Sequence, residues 1–354
     1  MDSSRPNILG LSHRQLTELL KHRYGKGAFH ANAVYREVFR NGNPEFHRAE
    51  AFSKSGGLPA QLQKDLGVHL NSIEKTVEED GLIKFITRLE DGRCIESVII
   101  PMSSYSTVCV SSQVGCKMGC AFCETGSNGF YRNLNTEEIV GQIYTARFHF
   151  GYEIRNVVIM GMGEPLDNFD NVTQTIRIIS DQRGLNIAKR HITVSTVGII
   201  EGIRKLAGLN WRDLNLAVSL NAPNDIIRSR IMPINRTVPM EKLRQALMEY
   251  PLNRKSTIFV EYVLIKGLND SRESARQLAE YLKPLKTKVN LIPLNPNTYA
   301  DADTRFDTPS LEDIDRFYGW LKEDGLFVRI RTARGLGMMA ACGQLGGRNQ
   351  FINH

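Results

Sequence analysis

The sequence predicts an α/β protein made of repeated βα units, preceded by a small helical region. Three observations carry this. Short β-branched runs alternate with helical patterns from about residue 106 onward. Most of those runs end in a polar stretch containing Gly or Pro. The first 85 or so residues instead space their apolar side chains at three- and four-residue intervals. Repeated βα units imply parallel strands with right-handed crossovers, either as a barrel or as an open doubly wound sheet.

In order along the chain, QLTELLKHRY and AQLQKDLGVHL read as helical, with the polar loop RNGNPEFHRAEAFSKSGG between them. GLIKFITRL and CIESVIIP, separated by the turn EDGR, then read as extended, which puts a domain boundary near residue 90 and divides the chain into 1–90 and 91–354. The strand candidates that follow are STVCVSS (106–112), NVVIMG (156–161), HITVST (191–196), LNLAVSL (214–220), IFVEYVLI (258–265), KVNLIPL (288–294) and FVRIRTA (327–333). Helical patterns lie between them: TEEIVGQIYTARFHF, NVTQTIRIISD, MEKLRQALMEY, SRESARQLAEYL and LEDIDRFYGWLKEDG. GMGEP, STVG, SLNAPND, KGLND and PLNP follow the second to sixth runs, at the rim where βα barrels build active sites.

Composition narrows the class. A hydrophobic fraction of 42% and a charged fraction of 23% are those of an ordinary globular protein. No apolar run approaches the roughly 18 residues of a membrane helix, and MDSSRPNILGLSHRQ lacks a secretory pattern, so a cytoplasmic protein without membrane contact is expected. The net charge of +7 favours an anionic partner, nucleic acid first, with simple solubility as the other reading. Basic and aromatic residues mix in HRQLTELLKHRYGKGAFHANAVYREVF, and basic residues recur in KRH (189–191) and RIRTARG (329–335).

The stretch CVSSQVGCKMGCAFCETG holds four of the six cysteines, with Cys116, Cys120 and Cys123 spaced as C-x3-C-x2-C. Structural zinc needs four closed ligands, usually as two pairs, and no second Cys/His pair of that spacing follows. An iron–sulfur cube also has four corners. Three thiolates would leave one iron open to a small molecule. Three buried core cysteines are the remaining alternative.

The C-x3-C-x2-C spacing after the first strand of a βα barrel resembles the radical S-adenosylmethionine (SAM) superfamily. The resemblance implies a partial (βα)6 radical SAM barrel, with a [4Fe-4S] cluster on Cys116, Cys120 and Cys123 whose open iron binds SAM. GMGEP (161–165) fits, because family members hold the SAM amino group with a Gly/Glu-rich loop after the second strand. CVSSQVGC, MGMGEPL, SLNAPND, MPIN, NLIPLNP and AACGQL together resemble the RlmN/Cfr family of RNA adenosine methyltransferases, from about residue 92 to 347. That family carries an RNA-binding adapter where this chain has its helical N-terminal region.

The resemblance implies two SAM molecules per turnover. One methylates Cys342; the other is cleaved at the cluster to a radical that takes hydrogen from that S-methyl group. The resulting carbon radical adds to adenine, the ring proton is lost with Glu96 of CIESV as the acidic candidate, and Cys109 attacks the Cys342 sulfur to release the product. By the same matching, SAM contacts are expected from Gly163, Glu164, Ser195, Ser219, Leu220, Asn221 and Asn295. The expected substrate is 23S rRNA with tRNA as a candidate second, modified at C2; the expected reductant is flavodoxin-like, and a monomer is expected.

Three positions depart from the family pattern: Asn221 stands where His is common in SLHAP, Glu124 follows the third cluster cysteine in place of a small residue, and RGLGMMAACGQL lacks the usual acid before Cys342. The alternatives are a C8 reaction like that of Cfr or another RNA target, a radical SAM enzyme on a non-RNA substrate, and a non-catalytic iron–sulfur RNA binder.

Overall fold

The structure, a computed structural model, describes residues 5–295, 306–331, 339 and 343–346. Its N-terminal helices are α1 (His13–Tyr24), α2 (Ala28–Tyr35) and α3 (Leu58–Asp65). The strands β1 (Ser72–Glu79), β2 (Leu82–Arg88) and β3 (Cys94–Pro101) come next. β4 (Ser106–Val110) opens the repeating part, followed by the short β5 (Gln113–Gly115), α4 (Glu124–Ser127) and β6 (Phe130–Asn133). Then come α5 (Thr136–Tyr144), β7 (Ile154–Ile159), α6 (Phe169–Ile179), β8 (Ile192–Thr196), α7 (Ile200–Gly208) and β9 (Asn215–Ser219). The chain continues through α8 (Asp225–Ile231), α9 (Met240–Met248), β10 (Ile258–Leu264), α10 (Arg272–Leu282), β11 (Thr287–Pro293), α11 (Leu311–Glu323) and β12 (Val328–Ile330).

One ten-stranded sheet runs in the order β1-β2-β3-β4-β7-β8-β9-β10-β11-β12, and β5 pairs with β6 as a separate hairpin. From β4 to β12 neighbouring strands are parallel. Each βα unit therefore adds its strand on the same side as the last. A doubly wound sheet would reverse its order at a switch point; this one does not, which decides between the two expected architectures in favour of a barrel-type winding. β1 and β12 end the order, so among the described residues the barrel is not closed by hydrogen bonds.

The parallel strands are apolar because both faces are covered. Val157, Ile159, Val194, Leu216, Val260, Leu264, Val289 and Leu291 are all buried. The helices cover them with one apolar stripe each, such as Ala275, Leu278 and Leu282 of α10 and Ile314, Phe317 and Leu321 of α11. Tyr262 of β10 stacks on Phe317 at 5.5 Å, and its hydroxyl donates to the Asn269 carbonyl at 2.8 Å. A polar register row crosses the apolar pattern of β9, β10 and β11, where Ser219, Glu261 and Asn290 lie side by side.

The structure corrects the helical reading up to about residue 85. Helix stops at Asp65, and Ser72–Glu79 is an antiparallel strand that pairs with β2. Glu74, Lys75, Glu78 and Glu79 keep this outermost strand charged and largely exposed, which suits an edge that must not pair further. The expected boundary at residue 90 falls between β2 and β3, which are hydrogen-bonded neighbours. α7 is a second difference; its apolar stripe, Ile203 and Leu206, is too short to stand out in IEGIRKLAG.

The N-terminal segment shares the barrel's core. α1 starts at a capping box of Ser12 and Gln15 and stops at Gly25, with φ 62°. Ile8 and Leu9, just before it, belong to the same apolar cluster as Ile139 and Ile176 of α5 and α6. Leu9→Ala is therefore expected to cost the folded protein about 2–5 kcal/mol by leaving a cavity. Chemical denaturation followed at the barrel tryptophans checks this; an unchanged barrel transition would mean the N-terminal helices unfold on their own.

Candidate active site

A cavity opens at the C-terminal ends of the parallel strands and is bordered by Cys116, Cys120 and Cys123. The loop that carries them is held at both ends: the Cys116 amide donates to the Gly129 carbonyl at 2.7 Å, and the Ala121 amide to the Ile231 carbonyl at 2.9 Å. Burial pushes the Cys116 thiol up to about 12, and the nearby Cys123 and Glu164 charges add to the effect. Burial also raises Cys120 well above the ordinary value, with Arg228 opposing it. Cys123 is raised by burial against hydrogen bonds from Gly126 and Thr125.

Thiols so poorly solvated stay protonated unless positive charge enters the cavity with them. Ligated iron supplies such charge. Among the described residues, no three His, Cys, Asp or Glu side chains converge tightly enough to hold a single ion. A zinc ion would draw its sulfurs to about 2.3 Å from one point, whereas a cube takes one thiolate per iron and tolerates a wider triangle. The three thiols fit a [4Fe-4S] cluster.

GMGEP forms the next part of the wall. Gly161, Gly163 and Glu164 all border the cavity. Gly163 has φ +99°, and a Cβ there would lie 2.5 Å from that of Gln113. A Cβ on Gly161 would meet the Val110 backbone at 2.8 Å. Glu164 is buried, yet its two oxygens accept from the Leu166 amide at 3.0 Å and the Val197 amide at 2.8 Å. Burial outweighs these bonds and raises its pKa to about 7. The carboxylate is thus fixed in direction and gains from a neighbouring cation in the cavity, such as the SAM ammonium.

Ser195 at the end of β8, Ser219 at the end of β9, Asn221 and Asn295 border the same cavity. Leu220 does not: its side chain lies in the barrel core, and its amide donates to the Glu261 carbonyl at 3.0 Å. Asn221 has φ 59°, a left-handed conformation that Asn adopts more readily than most residues. Its Oδ1 accepts from the Val263 amide at 2.9 Å, tying the β9 exit to β10.

Sequence reasoning missed three residues, two that brace the wall from behind and one that lines it. Gln113 accepts from the Glu164 amide at 2.8 Å and donates to Asp167 and Asn133, locking GMGEP against the β5–β6 hairpin. Arg228 is fully buried; it donates to the carbonyls of Leu220 (3.2 Å), Val197 (2.6 Å) and Ser219 (3.4 Å) and to Asn235 Oδ1 (3.0 Å). It thereby ties the exits of β8 and β9 to the turn that carries Asn235. Glu261 borders the cavity beside Ser219, and burial raises its pKa against a hydrogen bond from Asn290. A lone acid inside the apolar run IFVEYVLI was the signal for Glu261.

Cys109 and Glu96 lie on the neighbouring part of the sheet. Val98 pairs with Cys109 on one side and Lys84 on the other, and Glu96 is two residues from Val98, so all four share one face. Lys84 donates to Glu96 at 3.5 Å, and both side chains are buried. Lys84 also donates to the Met339 carbonyl at 3.3 Å. Cys342 lies outside the described residues, but Gly343, the next residue, borders the cavity and its carbonyl accepts from the Glu124 amide at 2.8 Å. Thr125 donates to the Leu345 carbonyl at 2.6 Å, so the C-terminal stretch docks on the helix that follows Cys123. Glu124 is buried in the first turn of that helix.

Residues 110–282 match the Radical SAM superfamily. A probable dual-specificity RNA methyltransferase RlmN 1 from Protochlamydia amoebophila is 42% identical over 96% of this chain and 94% of its own length. The chain belongs to the RlmN family of radical SAM methyltransferases. Another member of the RlmN family, a dual-specificity RNA methyltransferase from Syntrophotalea carbinolica, is 40% identical over 98% of this chain and 91% of its own. The crystal structure of a radical SAM methyltransferase from Sphaerobacter thermophilus superposes with a TM-score of 0.87, at 37% identity, over 96% of this chain and 99% of that one. As an RlmN-family enzyme the protein uses SAM and a [4Fe-4S] cluster. No helix among the described residues is long and apolar enough to cross a membrane.

Two outcomes test this site. Glu164 has a folded-state pKa near 7 against an ordinary value of 4.5, so the folded state holds an extra proton between those values and loses stability as pH rises through them. Relative to Glu164→Gln, the SAM-free protein should lose about 3 kcal/mol between pH 4.5 and 7.5 and then level off; urea denaturation across pH checks it, and a pH-independent difference would contradict it. Gly163→Ala should cost about 1–3 kcal/mol through its positive φ and the Gln113 contact, seen as a lowered Tm.

Proposed function

We propose that the protein methylates C2 of an adenosine in 23S rRNA, with tRNA as a second substrate. One observation carries the reading: Gly343, the residue after Cys342, borders the same cavity as Cys116, Cys120 and Cys123. A methyl-carrying thiol attached there would work beside a SAM-binding cluster, which is what transfer to an unactivated ring carbon requires. Relatives with this sequence pattern are described as dual-specificity RNA methyltransferases.

In this reading Cys116, Cys120 and Cys123 hold the cluster, and Glu164, Ser195, Ser219, Asn221 and Asn295 surround SAM, with Gly163 leaving room for it. When bound, the cluster supplies the electron that cleaves the SAM sulfonium. Cys342 carries the methyl group as a thioether. Glu96 takes the adenine ring proton, with Lys84 beside it to stabilise the carboxylate. Cys109 attacks the Cys342 sulfur, so that a Cys109–Cys342 disulfide forms as the sulfur–carbon bond to the base breaks and the released carbon takes up a proton to become the methyl group. The segment before β1 serves as the RNA adapter, with Arg14, Lys21, Arg23 and Lys26 as its cationic side chains in and beside α1. A flavodoxin-like reductant, a monomeric state and a cytoplasmic location complete the reading.

Mass spectrometry of nucleosides from cells with and without the gene tests it. Loss of 2-methyladenosine from 23S rRNA is expected; loss of 8-methyladenosine would move the target carbon, and no change in any RNA would overturn the reading. Cys109→Ala, purified anaerobically, should accumulate a protein–RNA adduct that survives denaturation and is absent when Cys342→Ala is added.

A further inference from the structure

The β5–β6 hairpin carries two aromatic side chains that the core does not absorb. Phe130 is 40% exposed and Tyr131 50%. Tyr131 is the extra residue where the β5–β6 pairing slips register, so the two neighbouring rings do not follow the regular alternation, and each has its own cation: Lys117 Nζ lies 5.8 Å from the Phe130 ring centre, and the Arg93 guanidinium 5.0 Å from that of Tyr131. Both pairs stand at the active-site rim. Cys116 and Met118, on either side of Lys117, border the cavity. β3 runs antiparallel to β4, so Arg93, just before β3, lies at the end where β4 exits towards the cluster loop. Lys117 also pairs with Asp167, and Arg132 with Asp91 and Glu138, which anchor the hairpin.

The cations and the net charge of +7 fit a polyanion that also offers flat π-faces. An adenine whose C2 edge must enter a cavity has to leave its stack. Its two neighbours then each lose a stacking partner. Aromatic side chains replace that partner without regard to sequence.

We propose that Phe130 and Tyr131 are a stacking platform for the nucleotides flanking the target adenosine; this rests on the RNA reading above. The probe is a stem-loop RNA with one loop adenosine flanked by 2-aminopurine. Binding to the wild-type holoenzyme quenches the 2-aminopurine. Phe130→Ala and Tyr131→Ala lose the quenching and raise KM for RNA about five- to a hundredfold, while kcat at saturating RNA and the cluster absorbance stay unchanged. Phe130→Trp retains the quenching, and Phe130→Leu, which keeps apolar bulk without a π-face, loses it even if the alanine variants fold poorly. Full quenching and unchanged KM in Phe130→Leu and Tyr131→Ala overturn the platform alone, since wild-type methylation then still stands. A raised KM for the reductant with RNA binding intact assigns the surface to a protein and also overturns it. A wild type that binds no RNA removes the function reading and the platform together.

Discussion

The site is governed by the difficulty of keeping negative charge in a cavity with little water. Left alone, the thiols of Cys116, Cys120 and Cys123 and the carboxyl of Glu164 are all driven towards their neutral forms. The surrounding elements work against that drive. Strand-exit amides at Val197 and Leu166 point at Glu164. Arg228 sits behind the wall, and the hydrogen bonds described for it go to neutral acceptors, so none of them cancels its charge. A buried cation without a bonded anion is costly by itself. It becomes tolerable when the adjoining cavity carries thiolates, and Cys120 and Arg228 each shift the other's pKa in that sense.

Much of this was legible in the chain. All of the β-branched runs chosen from 106 to 333 contain strands, because parallel strands covered on both faces leave an apolar signature that turns and helices do not share. The exits GMGEP, STVG, SLNAPND and PLNP surround one cavity because parallel winding sends every strand end to the same rim. What stayed hidden depended on contacts far apart in sequence. Arg228 reads as an ordinary charge in DIIRSRI, and only the closure of the β8 and β9 exits and the Asn235 turn around it shows why it is buried. Gln113 looks like a polar spacer until GMGEP packs against it. β1 was missed because its charged residues give neither clean alternation nor an apolar face.

The departures from the family pattern look different in three dimensions. Asn221 is not merely a substitute donor, since its left-handed backbone and its bond to Val263 favour a short amide side chain. Glu124 is buried next to Cys123, where its charge adds to the rise in that thiol's pKa. Its amide also receives the C-terminal stretch through Gly343. The carboxyl and the docking contact thus belong to the same residue. The missing acid before Cys342 falls outside the described residues; Lys84, paired with Glu96, donates to the Met339 carbonyl of that stretch.

Among the described residues the margins of the sheet, β1 and β12, are not joined, and this bears on how a polymer is handled. A continuous cylinder admits only what fits through its mouth, since widening it means breaking a ladder of amide bonds. An open margin carries no such ladder to break, which in the proposed reading leaves a way in for one nucleobase while the sugar–phosphate chain stays outside. A wall with a slit suits a guest that is threaded sideways and never fully enclosed.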